Sequence, residues 1–155
     1  DKLNDLRDKK VCCSLVEELH EIQKTLDINS LPKSMCHGDL TLSNIIFGQH
    51  KLWLFDMLDT FIDSYILDLV KLKQDLYYNW SSKIQQKNTV RIQQAKRYMW
   101  CGLHERKKDL IDNEWFDFFD TLNIIRIKPY LTNNNHKKIF DEVLAKTPCF
   151  KKGLE

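Results

Sequence analysis

The fold of this chain is organised around residues 37–47, HGDLTLSNIIF, which join a polar segment to a short apolar run. A second apolar run, residues 51–55, is followed by Asp56, and residues 48–50, GQH, separate the two runs. Two short apolar and aromatic runs on either side of a Gly-containing segment predict a β-hairpin. The hairpin would return Asp56 to the end at which the polar segment lies.

The polar segment contains the residue types that metal-assisted phosphoryl transfer requires. Such chemistry depends mostly on positioning and charge stabilisation, with a carboxylate near the acceptor hydroxyl and hard oxygen ligands for the metal. Asp39 can orient or deprotonate a hydroxyl, while Asn44 and the later Asp56 can bind the metal. Alternatively, Asp39 and Asn44 are turn residues, a common role for both types. The preceding His37-Gly38 pair and the following strand favour the functional interpretation.

This arrangement of His-Gly-Asp-x4-Asn, hairpin and Asp resembles the catalytic half of the aminoglycoside phosphotransferase and choline kinase superfamily. Those proteins are small-molecule kinases with a protein-kinase-like fold. The resemblance covers about residues 35–70 and extends to Asp68-Leu69, at the place where the family has an Asp-Leu pair that opens a helix. The family often has Gly-Asp-Pro four residues before that pair, whereas this chain has Asp63-Ser64-Tyr65. The subfamily and the acceptor substrate are therefore left open.

The resemblance implies a reaction and a set of ligands. The γ-phosphoryl group of ATP would be transferred to a hydroxyl of a small molecule: a sugar, an amino sugar, an aminoglycoside or a choline-like compound. Asp39 would be the catalytic base, and Asn44 and Asp56 would bind Mg²⁺ and, through it, the nucleotide. GTP is an equally open donor.

Three further residues have supporting roles in the same resemblance. His37 belongs to the catalytic set, where it holds the shape of the loop, with proton acceptance as the alternative. Gly38 permits backbone angles that other residues resist. Asp68 would brace the catalytic loop, and its place near a helix N-terminus is favourable in itself.

Composition excludes several classes of function. The net charge is +2, from 24 Lys and Arg against 22 Asp and Glu, which argues against a broad nucleic-acid surface. No apolar run approaches the roughly 20 residues that span a bilayer. The five cysteines have no disulfide-like or zinc-like spacing, which predicts reduced thiols and a cytoplasmic protein.

The resemblance also implies a β-rich N-terminal lobe that covers the phosphates and supplies a Lys to them. The four glycines of this chain are not clustered, and no G-x-G-x-x-G is present. We therefore expect residues 1–153 to form a single C-terminal lobe whose partner is the missing N-terminal lobe of the same protein. Leu154-Glu155 would be a tag remnant. Such a fragment would be inactive or weakly active alone, and a non-catalytic, kinase-derived helical interaction module is the alternative function.

Hydrophobic periodicity predicts helices over residues 3–27, 68–80, 89–110 and 135–146, and a further helix that begins at Asp112 or Asn113. That further helix is rich in aromatic side chains: Trp115, Phe116, Phe118 and Phe119. They would pack in the core or, together with Asp117 and Asp120, line a pocket. The predicted fold class is mainly α with α+β character, a helical bundle in which a small β-hairpin carries the active-site loop.

Overall fold

The computed structural model describes residues 13–86 and 89–148, and the predicted helical residues 3–12 and the suggested tag at 154–155 lie outside them. In chain order the regular elements are α1 (Cys13–Thr25), β1 (Ile45–Gly48), β2 (Lys51–Leu54), α2 (Tyr65–Leu76), α3 (Trp80–Ile84), α4 (Val90–Arg106), α5 (Lys108–Ile111), α6 (Glu114–Ile125) and α7 (Asn134–Leu144). Short 3₁₀ turns occupy Ile28–Ser30, Leu42–Asn44 and Lys128–Tyr130. The prediction of a mainly helical chain with one small antiparallel hairpin is confirmed.

The chain divides into two compact units. Of the described residues, one unit contains 13–30 and 112–148, and the other contains 31–86 and 89–111. The whole polar segment and the hairpin belong to the second unit. Within the described ranges, no helix combines the length and the apolar character needed to cross a membrane.

The first unit packs α1, α6 and α7 around the aromatic side chains of α6. Trp115 and Phe119 stack with ring centroids 5.6 Å apart, and Phe118 meets Phe119 edge to face at 5.2 Å. The indole Nε1–H of Trp115 donates to Ser30 Oγ at 3.0 Å, so the polar atom of this buried ring is satisfied. Asn113 caps α6 by accepting from Phe116 N at 2.8 Å. The aromatic run is therefore core packing.

In the second unit, α2 packs against α3, α4 and α5. Ser64 caps α2, which begins at Tyr65, one turn before the start at Asp68 that the resemblance implied. Asp68 therefore lies inside the first turn. Burial raises the pKa of Tyr65 above its ordinary value of 10.0.

The buried face of α2 combines apolar and polar residues. Ile66 and Val70 are buried, whereas Leu69 and Leu72 are only half-buried. The buried face includes the polar Asp75, because this side of the helix contacts the backbone of the polar segment. Hydrophobic periodicity alone cannot find a helix face whose partners are backbone N–H groups.

Candidate functional site

The polar segment, residues 37–44, is called the loop from here on. It begins with a backbone conformation that requires glycine. Gly38 has φ +83°, a region that L side chains rarely adopt. A Cβ built on it would lie 2.5 Å from Leu58 O and 2.6 Å from Thr60 Cγ2. The segment after Asp56 thus passes directly against the loop, and Leu58 N donates to His37 O at 2.9 Å.

Asp68 holds the first two peptide N–H groups of the loop. Its Oδ2 accepts from His37 N at 2.7 Å, and its Oδ1 accepts from Gly38 N at 2.9 Å. Bonds of this kind to a carboxylate are short and stronger than neutral ones. The Asp68 carboxylate therefore fixes the orientation of the loop at Gly38, where the backbone adopts a positive φ.

His37 is buried, with 4% of its surface exposed, and both of its ring nitrogens are engaged within the chain. Nε2 lies 2.8 Å from Phe55 O, and because a carbonyl only accepts, Nε2 carries the proton. Nδ1 then accepts from Asp39 N at 3.4 Å. His37 thereby ties the loop to the end of the hairpin, and no ring nitrogen remains for a substrate.

The carboxyl group of Asp39 has two different neighbours. Its Oδ1 lies 3.0 Å from Lys71 Nζ, and its Oδ2 accepts from Asn44 Nδ2 at 3.3 Å. Asn44 Nδ2 also donates to the Asp39 backbone carbonyl at 2.9 Å. Because that carbonyl can only accept, the amide nitrogen of Asn44 faces Asp39, and its Oδ1 is left for another ligand.

Asp56 follows β2. It lies between Phe55 and Leu58, whose backbone N–H groups both donate hydrogen bonds to the loop. Phe55 N donates to Asn44 O at 3.3 Å, and Leu58 N bonds to His37 as described above. Asp56 itself is exposed and has φ 62°, an uncommon value for a residue other than glycine. Strained backbone of this kind concentrates at functional sites. The hairpin thus returns Asp56 to the loop that carries Asp39 and Asn44.

A second carboxyl group of α2, which sequence reasoning missed, supports the far end of the loop. Asp75 is 1% exposed, and its Oδ2 accepts from Leu42 N at 3.0 Å, the start of the 3₁₀ turn Leu42–Asn44. Its Oδ1 accepts from the hydroxyl of Ser81. Asp75 therefore positions the turn from which Asn44 projects.

Asp68, Lys71 and Asp75 lie on one face of α2, because residues spaced by three, four or seven positions stack along a helix. Together they contact the loop at residues 37–38, at the Asp39 carboxylate and at Leu42. The i, i+3 and i+7 spacing of these three residues is the feature of the sequence that indicates a shared helix face. Because all three residues are charged, an apolar pattern does not mark this face of the helix.

We expect Asp75→Asn to lower the free energy of unfolding by about 2 kcal/mol, because both bonds lose the charge of the carboxylate acceptor and an NH2 donor replaces one of the two accepting oxygens. Urea denaturation measures the loss, and amide hydrogen exchange should show reduced protection at Leu42. Asp141→Asn, at an exposed acid of α7, is the matched control and should change stability by less than about 0.5 kcal/mol. Unchanged stability and protection in Asp75→Asn would contradict the positioning role.

The donor set of the loop fits Mg²⁺. Asn44 Oδ1 and the Asp56 carboxylate are hard oxygen ligands, and Mg²⁺ is commonly bound by one or two protein groups together with phosphate oxygens. The described part of the chain contains no cluster of three or more His, Cys, Asp or Glu residues that would hold an ion alone. A metal held by these two residues would take its other ligands from phosphate oxygens or water.

No protein-family model, no curated protein and no solved structure matches the chain. The functional assignment accordingly depends on the geometry of the loop and its anchors.

Proposed function

We propose that this chain carries the catalytic loop of an ATP-dependent small-molecule kinase. The observation that carries the proposal is the clamp between Asn44 and Asp39. The amide nitrogen of Asn44 binds the backbone and the carboxyl group of Asp39, so its oxygen is directed to a different ligand. One residue thus couples the proposed base to the proposed metal site.

In the proposed reaction, Asp39 accepts a hydrogen bond from the substrate hydroxyl and takes its proton as the oxygen attacks the γ-phosphorus. The new bond joins that oxygen to phosphorus, and the bond to the β-phosphate oxygen breaks as ADP leaves. A carboxylate suits this role because the transition state is loose and positioning dominates the rate. Bound Mg²⁺, held by Asn44 and Asp56, would offset the negative charge of the phosphates.

The acceptor is proposed only as a class: a small molecule with a free hydroxyl, such as a sugar, an amino sugar, an aminoglycoside or a choline-like compound. ATP is the proposed donor. Cys36 and Cys101 are free thiols, which fits a reducing, cytoplasmic compartment with abundant ATP.

The decisive experiment is a titration of the chain with Mg²⁺-ATP, followed by thermal denaturation. At a nucleotide concentration about 100 times its Kd, we expect the melting temperature to rise by about 5 °C or more. Asp56→Ala should abolish this rise, because it removes the charged metal ligand. Asp141→Ala, at an exposed acid distant in sequence, should keep the rise. An equal rise in Asp56→Ala would contradict the metal assignment.

An apolar hairpin surface favours a second candidate, a non-catalytic interaction module. Ile46 pairs with Trp53, and Phe47 pairs with Leu52, so the two pairs occupy opposite faces of the hairpin. These side chains are 54%, 60%, 74% and 58% exposed, respectively. Exposed apolar patches of this kind mark interaction surfaces. Absence of any Asp56-dependent response to Mg²⁺-ATP, both in this chain and in the complete protein with the expected N-terminal lobe, would favour this second candidate over the kinase.

A further inference from the structure

Lys71 is placed beside the proposed base by the helix that positions the loop. Its Nζ lies 3.0 Å from Asp39 Oδ1, and the two side chains are 24% and 28% exposed. Throughout residues 13–86 and 89–148, Asp39 is the only ionic or hydrogen-bonding partner of the Lys71 ammonium group. An ammonium group has three donors, so two of them remain for another acceptor.

The position of Asp39 brings a phosphoryl group within reach of this ammonium group. A hydroxyl that donates to Asp39 lies about 3 Å from its carboxylate, and the reacting phosphorus lies about 3–3.5 Å beyond that hydroxyl. Lys71 Nζ is already 3.0 Å from the same carboxylate. The long, flexible stem of Lys71 allows its ammonium group to contact both the Asp39 carboxylate and the phosphoryl group, or to move from one to the other.

A cation is also needed at this place on electrostatic grounds. The Asp39 carboxylate and the triphosphate are both negative, and their repulsion is strong where little water separates them. The proposed metal ligands lie elsewhere: Asn44 is in the part of the loop that follows Asp39, and Asp56 is at the end of the hairpin. Lys71 extends from α2 and contacts Asp39 Oδ1, whereas Asn44 contacts Asp39 Oδ2.

We propose that Lys71 is a catalytic residue that binds the γ-phosphoryl group of the nucleotide while it is transferred past Asp39. This inference rests on the proposed kinase function and adds a substrate contact to it. During the step, the hydroxyl proton passes to Asp39, the oxygen–phosphorus bond forms, and the electron pair of the broken bond leaves with ADP. Lys71 keeps its proton and donates hydrogen bonds to the oxygens of the transferred group.

The test compares the affinities of Mg²⁺-ATP and Mg²⁺-ADP, which differ in the γ-phosphoryl group, by calorimetric titration of the chain. Lys71→Met should weaken ATP binding about tenfold and leave ADP binding unchanged, since it removes charged hydrogen bonds to that group alone. Lys71→Arg should retain most of the ATP preference because it retains the charge. Lys138→Met, at an exposed lysine of α7, is the matched control and should bind both nucleotides as the wild type does.

The possible results separate this inference from the proposed function. Equal weakening of ATP and ADP binding in Lys71→Met would mean that Lys71 only maintains the loop, and would overturn the contact. Wild-type affinities for both nucleotides in Lys71→Met would also overturn the contact. The kinase function would still stand if the response to Mg²⁺-ATP depended on Asp56. If the wild type bound neither nucleotide, as this chain and also in the complete protein with the expected N-terminal lobe, the kinase function itself would fail, and the Lys71 contact with it.

Discussion

Gly38→Ala should lower the free energy of unfolding by about 3 kcal/mol, which corresponds to a fall in melting temperature of about 10 °C. Two costs combine at this position. The first is the left-handed backbone at φ +83°, and the second is the approach of the new Cβ to Leu58 O and Thr60 Cγ2. Leu58 O is a backbone atom and cannot turn away as a flexible side chain can, so the loop itself must shift.

Gly48→Ala provides the matched control for this prediction. Gly48 ends β1, and a Cβ built on it meets no atom within 4 Å. Thermal denaturation of both variants should therefore show a large loss for Gly38→Ala and a change below about 0.5 kcal/mol for Gly48→Ala. Equal melting temperatures for the two variants would show that the loop does not have the described geometry.

Asp39→Asn should lower turnover by about 10²- to 10⁴-fold, the usual contribution of a positioned general base. An amide has nearly the shape of a carboxyl group but does not take up the hydroxyl proton. The main bond of Asn44 is to the backbone carbonyl of residue 39, so the loop should keep its shape. The measurement, made on the complete protein with the expected N-terminal lobe, is transfer of labelled γ-phosphoryl from ATP to a panel of sugars, amino sugars, aminoglycosides and choline.

Nucleotide binding provides the control for the Asp39 prediction. Mg²⁺-ATP should still raise the melting temperature of Asp39→Asn, which separates loss of the base from loss of the fold. Asp141→Asn, at an exposed acid of α7, should turn over at the wild-type rate. Wild-type turnover in Asp39→Asn would assign the base to another residue.

The hairpin was predictable from sequence because its determinants are local. The observed strands, Ile45–Gly48 and Lys51–Leu54, coincide with the two apolar runs, and the turn between them contains the positive-φ residues Gln49 and His50. No distant partner is needed to specify this pairing. The same is true of α6, where Asn113 supplies the predicted cap.

Two anchors of the loop, Lys71 and Asp75, were harder to predict because their partners are polar groups distant in sequence. Asp75 is 1% exposed although aspartate is usually a surface residue, and nothing in the local pattern indicates the Leu42 N–H that it satisfies. Lys71 likewise has the appearance of an ordinary solvated helix residue. Apolar periodicity reports burial against other apolar side chains, so it identifies neither the contact of Asp75 with a backbone N–H nor that of Lys71 with a carboxylate.

A similar limit applies to α4, where the apolar side chains of Val90 and Met99 do not mark the buried face. They are 68% and 54% exposed, whereas Trp100 is buried at 6%. Trp100 packs near Tyr77, with ring centroids 6.4 Å apart, and Lys73 Nζ lies 6.0 Å from its ring. One large aromatic residue, rather than a stripe of aliphatic ones, fixes this helix against α2.

The spacing between the loop and its anchors along the chain sets the order in which they can assemble. The hairpin joins neighbours such as Gly48 and Lys51, whereas the bonds of Asp68 and Asp75 to the loop span 30 to 33 residues. Closing such long segments costs entropy before any contact compensates, so local pairs form first and distant ones later. During synthesis, the hairpin can therefore form while the loop before it still lacks its anchors. The loop acquires its final shape only after α2 has emerged and docked.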